Sequence, residues 1–197
     1  MPLQSLPLPA ADVLLDPNFL APAEAAALLT ELTATVAWRQ EPIKLFGKGV
    51  MQPRLTAWYG DPGATYRYSG LRLEPLPWLP ALQQLRTQLE AATGTRFNSV
   101  LLNLYRSGQD SMGYHADNEP ELGPAPVIAS LTLGATRTFR LRPRPGVAAQ
   151  ALSLPLTAGS LLLMRGATQQ NWLHALPKTA RPVGPRLNLT FRLVAGN

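Results

Sequence analysis

His115 and Asp117 stand two residues apart in Tyr114-His115-Ala116-Asp117, and the one other histidine, His174, follows 59 positions later, close to Trp172. On a strand, residues i and i+2 project to the same face, so this imidazole and carboxylate can point at one ion. His174, near the end of a β-rich run, can close the set. Two imidazoles and one carboxylate that leave coordination positions open suit non-haem Fe(II). The plain alternative for each residue taken singly is an ordinary core or surface side chain.

A second pattern lies near the C-terminus, in Arg186-Leu187-Asn188-Leu189-Thr190-Phe191-Arg192. In a strand Arg186, Asn188, Thr190 and Arg192 share one face, and Leu187, Leu189 and Phe191 share the other. An amphipathic strand with its polar face in water is one reading. The other is that two guanidinium forks and an amide in register hold a dicarboxylate bidentately. Asn103-Leu104-Tyr105 alternates in the same way and adds an amide and a phenol to such a pocket. Iron, a small dianion and oxidative chemistry then fit together.

The elements that must position these residues are legible in outline. Residues 1–20 are punctuated by Pro2, Pro7, Pro9 and Pro17 and read as an extended arm that packs onto another element. Pro22 suits a first helical position, and a helix to about Thr35 places Ala26, Leu29, Leu32 and Val36 on one face. A second helix spans about Leu79 to Ala92, with Pro80 in its first turn, Leu82, Leu85 and Leu89 at helical spacing, and Gly94 as its stop. From Asn98 onward short β-rich runs take over: Val100–Tyr105, Val127–Leu133, Thr136–Leu141, Ala151–Leu156, Ser160–Met164 and Leu187–Val194, with Glu119–Pro126 and Arg142–Val147 as loops. Helices confined to the first half and strands in the second describe an α+β protein in which helices buttress an antiparallel sandwich.

Composition narrows the chemistry. The chain has 197 residues, 46% of them hydrophobic, the size of one domain. It has no cysteine, which excludes disulfides, zinc fingers, iron–sulfur clusters and thiol nucleophiles. Eighteen Lys+Arg against 12 Asp+Glu leave a net charge of +6, and 15 of the 18 are arginine, which suits a polyanionic partner. There is no G-x-G-x-x-G, no P-loop and no G-x-S-x-G elbow, so dinucleotide, nucleoside-triphosphate and serine-hydrolase chemistry fall away. No run of eighteen apolar residues occurs, and the first residues lack the pattern of a signal peptide. The expectation is a cytoplasmic protein with no membrane partner.

Asn98-Ser99-Val100-Leu101-Leu102-Asn103-Leu104-Tyr105, then His115-x-Asp117, the stretch from Ile128-Ala129-Ser130 to Phe139, His174, and Arg186-x-Asn188-x-Thr190-x-Arg192 together resemble the AlkB-type Fe(II)- and 2-oxoglutarate-dependent dioxygenases. The likeness runs from about Gly47 to Val194 and suggests a bacterial member similar to the duplex-acting homologues. It implies a double-stranded β-helix (jelly-roll) core in a single domain over residues 1–197, with an N-terminal arm and helix over about 1–38, a nucleotide-recognition lid over about 39–75 and the core over about 98–194. It implies that His115, Asp117 and His174 ligate Fe(II), that Asn103, Tyr105, Arg186, Asn188 and Arg192 hold 2-oxoglutarate, with Thr190 lining that site, and that O2 is consumed. Arg192 then belongs with the three metal ligands to the catalytic group.

The same resemblance assigns substrate contacts in the first half. Leu45-Phe46-Gly47-Lys48 is similar to a hairpin that inserts an aromatic into a base stack, and Arg54 to Asp61, which contains Tyr59, is similar to part of the lid, as is Tyr66-Arg67-Tyr68-Ser69-Gly70. Tyr68 would stack on a flipped base opposite His115, and Glu119 would sit near its exocyclic group. Phe46 and Tyr68 as packing residues and Glu119 as a solvated loop acid are the alternatives. Lys44, Lys48, Arg54 and Arg67 suit phosphates, or form a solvated basic face. The implied activity is oxidative dealkylation of 1-methyladenine- and 3-methylcytosine-type bases in DNA by a monomer, with 2-oxoglutarate decarboxylation and formaldehyde release. The competing readings are an RNA or tRNA demethylase or hydroxylase, a non-catalytic nucleic-acid-binding jelly roll, and a hydrolase using Glu119 as base.

Overall fold

The computed structural model describes residues 3–45, 48–68 and 71–195. Along them run β1 (Gln4–Ser5), β2 (Asp12–Asp16), α1 (Pro22–Thr35), β3 (Pro42–Leu45), β4 (Lys48–Met51), β5 (Leu55–Gly60), β6 (Tyr66–Tyr68), β7 (Leu71–Leu73), α2 (Pro80–Thr93), β8 (Ser99–Tyr105), β9 (Met112–His115), β10 (Ile128–Gly134), β11 (Arg137–Pro143), β12 (Leu152–Leu156), β13 (Leu161–Arg165), α3 (Thr168–Asn171), β14 (Trp172–Leu176) and β15 (Arg186–Arg192).

Both long helices start on a proline, whose missing N–H costs nothing in the first turn. α2 stops at Gly94, whose φ of 67° is the left-handed conformation that a glycine adopts without strain. Its buried face is Ala81, Leu82, Leu85 and Leu89, as the spacing predicts. The buried stripe of α1 is rotated from the expected one. Ala25, Leu32 and Val36 are buried with Leu28 and Leu29 packed beside them, while Ala26 faces solvent. An alanine offers too little apolar area to set the stripe against three leucines.

The strands form two sheets and two separate hairpins. The larger sheet has the order β1-β2-β13-β10-β15-β8-β5, the smaller β12-β11-β14-β9, and the hairpins are β3-β4 and β6-β7. Every strand pair is antiparallel. From β8 to β11 the chain alternates between the two sheets at each step, and from β12 to β15 it does so again. That alternation is the jelly-roll path. The N-terminal arm supplies two strands at one side of the larger sheet, β1 at its edge and β2 between β1 and β13.

The larger sheet is buried on both faces. One face packs against the helices through Val100, Leu102 and Leu104 of β8, Leu187, Leu189 and Phe191 of β15, and Leu161 and Leu163 of β13. The other face meets the smaller sheet, where Ile128, Leu162 and Met164 pack on Phe139, Leu141 and Leu156. The space between the sheets is therefore apolar toward β13, and toward β15 and β8 it is lined by Arg186, Asn188, Asn103 and Tyr105.

Two expectations are corrected. Leu55–Gly60 is an integral strand of the larger sheet, since all six residues pair with β8. It is not part of a separate lid. β11 also runs two residues further than expected, through Arg142 and Pro143, which pair with Leu173 and Trp172 of β14.

Candidate metal and anion site

The three candidate metal ligands converge. His115 and His174 lie directly opposite each other across the β14–β9 ladder, with ring centroids 4.2 Å apart at 63°. The ligand atoms of His115, Asp117 and His174 all lie within 4.8 Å of one another. His115 and Asp117 do not share a strand. β9 ends at His115, so Asp117 lies in the coil beyond it, and its carboxylate turns back until Oδ1 is 3.8 Å from His115 Nε2.

Protonation states suit a cation. The Nδ1 of His115 is 2.9 Å from the carbonyl of Gly113, a contact that orients the ring with Nε2 toward Asp117. Burial lowers the His174 pKa to about 3, helped by the neighbouring His115, so this imidazole is neutral at physiological pH. Phe139 stacks on it at 5.4 Å and 26°. Burial opposes ionisation of Asp117, but the Arg192 guanidinium and the two imidazoles outweigh it and hold the carboxyl below its ordinary value. Two imidazole nitrogens and one carboxylate oxygen are a donor set for Fe(II).

On the face of β15 that also carries Arg192 stand groups suited to an anion. Strand register places Arg186 opposite Tyr105 and Asn188 opposite Asn103, all on the face toward the smaller sheet. Arg186 is 2% exposed. It donates from Nη2 to Thr132 Oγ1 at 2.9 Å and lies over the Tyr105 ring at 5.5 Å, and its buried Nε has no partner. Burial lowers its pKa to about 10, and among the described residues no carboxylate pairs with it. A buried cation surrounded by neutral groups, with a donor still unused, fits a carboxylate of a bound dianion. Gly134, with φ of 81°, stands opposite Arg186 where β15 enters, and a Cβ there would strike the Pro185 carbonyl.

The remaining expected residues divide. Arg192 donates from Nη2 to Asp117 Oδ2 at 2.9 Å, so in this structure it serves the metal carboxylate. Asn188 spends its amide on Ser130 Oγ at 2.8 Å and the Leu131 carbonyl at 3.1 Å, and its oxygen accepts from Thr190. Both Asn188 and Thr190 thus brace the floor of the pocket. Arg54, expected at a phosphate, instead donates from Nε to Asn103 Oδ1 at 2.8 Å. Tyr59, expected to touch substrate, is a core residue. It is 3% exposed on the helix-facing side of β5, and its hydroxyl accepts the Ala37 N–H at 3.0 Å. Cross-strand pairing explains this, since Tyr59 sits opposite Val100 and on the other face from Asn103. Glu119 is half-buried, with one carboxylate oxygen out of solvent and unpartnered. Phe46 lies outside the described residues, as do the side chains of Lys44, Lys48, Arg67 and Tyr68, whose backbones belong to the two hairpins.

Three supporting residues were not singled out in the sequence. Arg137, 3% exposed, donates to the carbonyls of Ser107, Asp110 and Pro177 and ties together the loops that frame the pocket. Its signal was present, because Arg137 alternates in phase with the buried Phe139 and Leu141. Asp110 accepts three bonds from Arg106. Gln169 accepts the Asp117 N–H at 3.0 Å, a contact between residues 52 apart that no local pattern signals.

A jelly roll holding two histidines and an aspartate together with a buried guanidinium that has no carboxylate partner among the described residues defines a non-haem metal centre suited to an anionic cosubstrate. The chain belongs to the 2OG-Fe(II) oxygenase superfamily, whose family model matches residues 12–192. Within it the chain is of AlkB type. It is 44% identical over 190 residues to alpha-ketoglutarate-dependent dioxygenase alkB homolog 3 of Homo sapiens, covering 92% of this chain and 66% of that protein. It is 43% identical over 158 residues to the DNA oxidative demethylase ALKBH2 of Homo sapiens, covering 77% of this chain and 60% of that one. The chain thus spans about two thirds or less of the length of these relatives. The solved structure of OsALKBH1 has the same fold, with a TM-score of 0.64 at 19% identity, covering 96% of this chain and all of that one.

Proposed function

We propose that this chain is an Fe(II)- and 2-oxoglutarate-dependent dioxygenase that removes N-alkyl groups from nucleobases in DNA, acting as a monomer on lesions of the 1-methyladenine and 3-methylcytosine type. The observation that carries the reading is the pairing of a complete His115-Asp117-His174 set with a buried Arg186 that still has a donor to offer. When bound, Fe(II) with 2-oxoglutarate and O2 supplies the oxidation that hydroxylates the methyl carbon, which leaves as formaldehyde.

The chain's own residues bind and orient. His115, Asp117 and His174 hold the metal; Arg186, Tyr105 and Asn103 receive the cosubstrate, with Arg54 fixing the Asn103 amide through its oxygen so that the NH2 is left to donate. Arg192 keeps Asp117 ionised. The two hairpins, β3-β4 and β6-β7, form the nucleotide-recognition lid in this proposal, with Tyr68 facing the flipped base and Phe46 filling the gap it leaves. DNA is preferred over RNA because one close relative is named a DNA oxidative demethylase.

The test is formaldehyde release and base restoration on a 3-methylcytosine oligonucleotide, single- and double-stranded, with Fe(II) and 2-oxoglutarate, and His115→Ala alongside. Turnover that needs both additions and disappears in the variant is expected. Cofactor-dependent 2-oxoglutarate turnover without base restoration would move the substrate away from DNA lesions of this type.

A further inference from the structure

Asp117 is the one metal ligand without a strand to hold it, because β9 ends two residues earlier. Its side chain is steered by Arg192, and its backbone N–H is held by a single side-chain oxygen, Gln169 Oε1, at 3.0 Å. Gln169 is 1% exposed, and its Nε2 points at Met164 Sδ at 3.6 Å. With the oxygen on Asp117 and the nitrogen on sulfur, a flip of the amide would set the NH2 against an N–H and leave both buried groups unsatisfied.

Gln169 stands on α3, a single turn anchored from a different side. Thr168 Oγ1 accepts the Asp12 N–H at 2.9 Å and donates to the Arg165 carbonyl at 2.6 Å. Asn171 Nδ2 and Trp172 Nε1 hold the carbonyls of Ala10 and Pro9, each at 2.9 Å. The turn then leads directly into β14, which carries His174. One short element is thus joined covalently to one metal ligand and by a buried hydrogen bond to another.

We propose that Gln169 is a positioning residue of the metal centre: through the Asp117 N–H it fixes the separation of the carboxylate from His174 before any metal arrives. The inference rests on the metal reading of the triad. A ligand backbone held in place lowers the ordering cost of binding, so loss of this bond acts on affinity and coordination geometry.

The test is titration of the metal-free protein with Co(II), followed by its visible absorption band, together with thermal unfolding of the apo form. Gln169→Leu keeps the volume and removes the acceptor; Gln169→Asn, which withdraws the amide by one methylene, is the second variant should the first fail to fold. Thr168→Val is the control, since it loosens the same turn without touching Asp117. A rise in the Co(II) Kd of about tenfold or more with an altered band is expected for the Gln169 variants, and a Kd within about twofold of wild type for Thr168→Val even where its unfolding temperature falls as far. Unchanged affinity and band in the Gln169 variants, or weakening in all variants that follows only their loss of stability, would overturn the proposal. A wild-type chain that binds no Co(II) would overturn the metal reading with it. Wild type that binds Co(II) but repairs no alkylated oligonucleotide would overturn the assigned function alone.

Discussion

Arg186 lies over the ring of Tyr105, its guanidinium carbon 5.5 Å from the ring centroid, and the two residues are direct partners in the β15–β8 register. Both are almost fully buried, at 2% and 4% exposure. The cation–π contact and the Thr132 hydroxyl replace only part of the hydration that the guanidinium gives up. The apo protein therefore carries a charge whose natural complement is an anion from outside the chain.

Arg186→Met separates binding from stability. Removing an unpaired buried cation in favour of an apolar side chain of similar length leaves apo stability unchanged or raises it, by up to about 1–2 kcal/mol. Affinity for 2-oxoglutarate falls at least about a hundredfold, since a charge-assisted bidentate contact of about 3 kcal/mol or more is lost. Urea unfolding of the apo form and calorimetric titration with 2-oxoglutarate in the presence of Mn(II) read the two effects. A large loss of apo stability would mean that Arg186 is paired within the chain.

Arg54→Met distinguishes a cosubstrate role from a phosphate contact. With its Nε on Asn103 Oδ1, Arg54 is expected to raise the KM for 2-oxoglutarate when replaced, while the dependence of DNA affinity on salt keeps its slope. A phosphate contact would instead reduce that slope by about one. Binding measured at four salt concentrations decides between them.

His174 makes the metal-free protein acid-sensitive in a defined window. Its pKa is lowered to about 3 in the folded state from the ordinary 6.5, so between these values the unfolded chain binds the proton and the folded chain does not. Its stabilising contribution is complete above about pH 6.5 and is lost progressively as the pH falls toward 3, on the order of 5 kcal/mol in all. Unfolding of the metal-free protein by urea between pH 7 and pH 4 should show this loss, and His174→Gln should flatten the curve.

Tyr59→Phe tests where that ring belongs. Loss of the hydroxyl that accepts the Ala37 N–H should cost about 1 kcal/mol of stability and leave KM for an alkylated oligonucleotide unchanged. A raised KM with unchanged stability would return Tyr59 to the substrate surface.

Much of the site was legible because strand chemistry is periodic. The alternation in Arg186 to Arg192 by itself names the residues of each face, and the structure places Leu187, Leu189 and Phe191 against the helices and the polar four on the opposite face. The same period marks Asn103 and Tyr105. The stop of α2 and its buried face follow from Gly94 and the leucine spacing, which are local properties. Arg54 and Tyr59 stand elsewhere than their types suggest for one reason: both suit a nucleic-acid surface, and nothing local shows that β5, which begins just after Arg54, lies against β8.

By itself, then, the sequence determined the donor types of the metal centre, the presence of cations beside it and the antiparallel class of the core, since these depend on residue identity and on a period of two. Only the tertiary structure decided which face of each strand is enclosed, that Asp117 reaches the histidines from a coil, that Gln169 holds it from 52 residues away, and that Arg186 has no counter-charge among the described residues. Those depend on register between strands far apart in the chain, and register is set by the packing of whole sheets against one another rather than by any residue's neighbours.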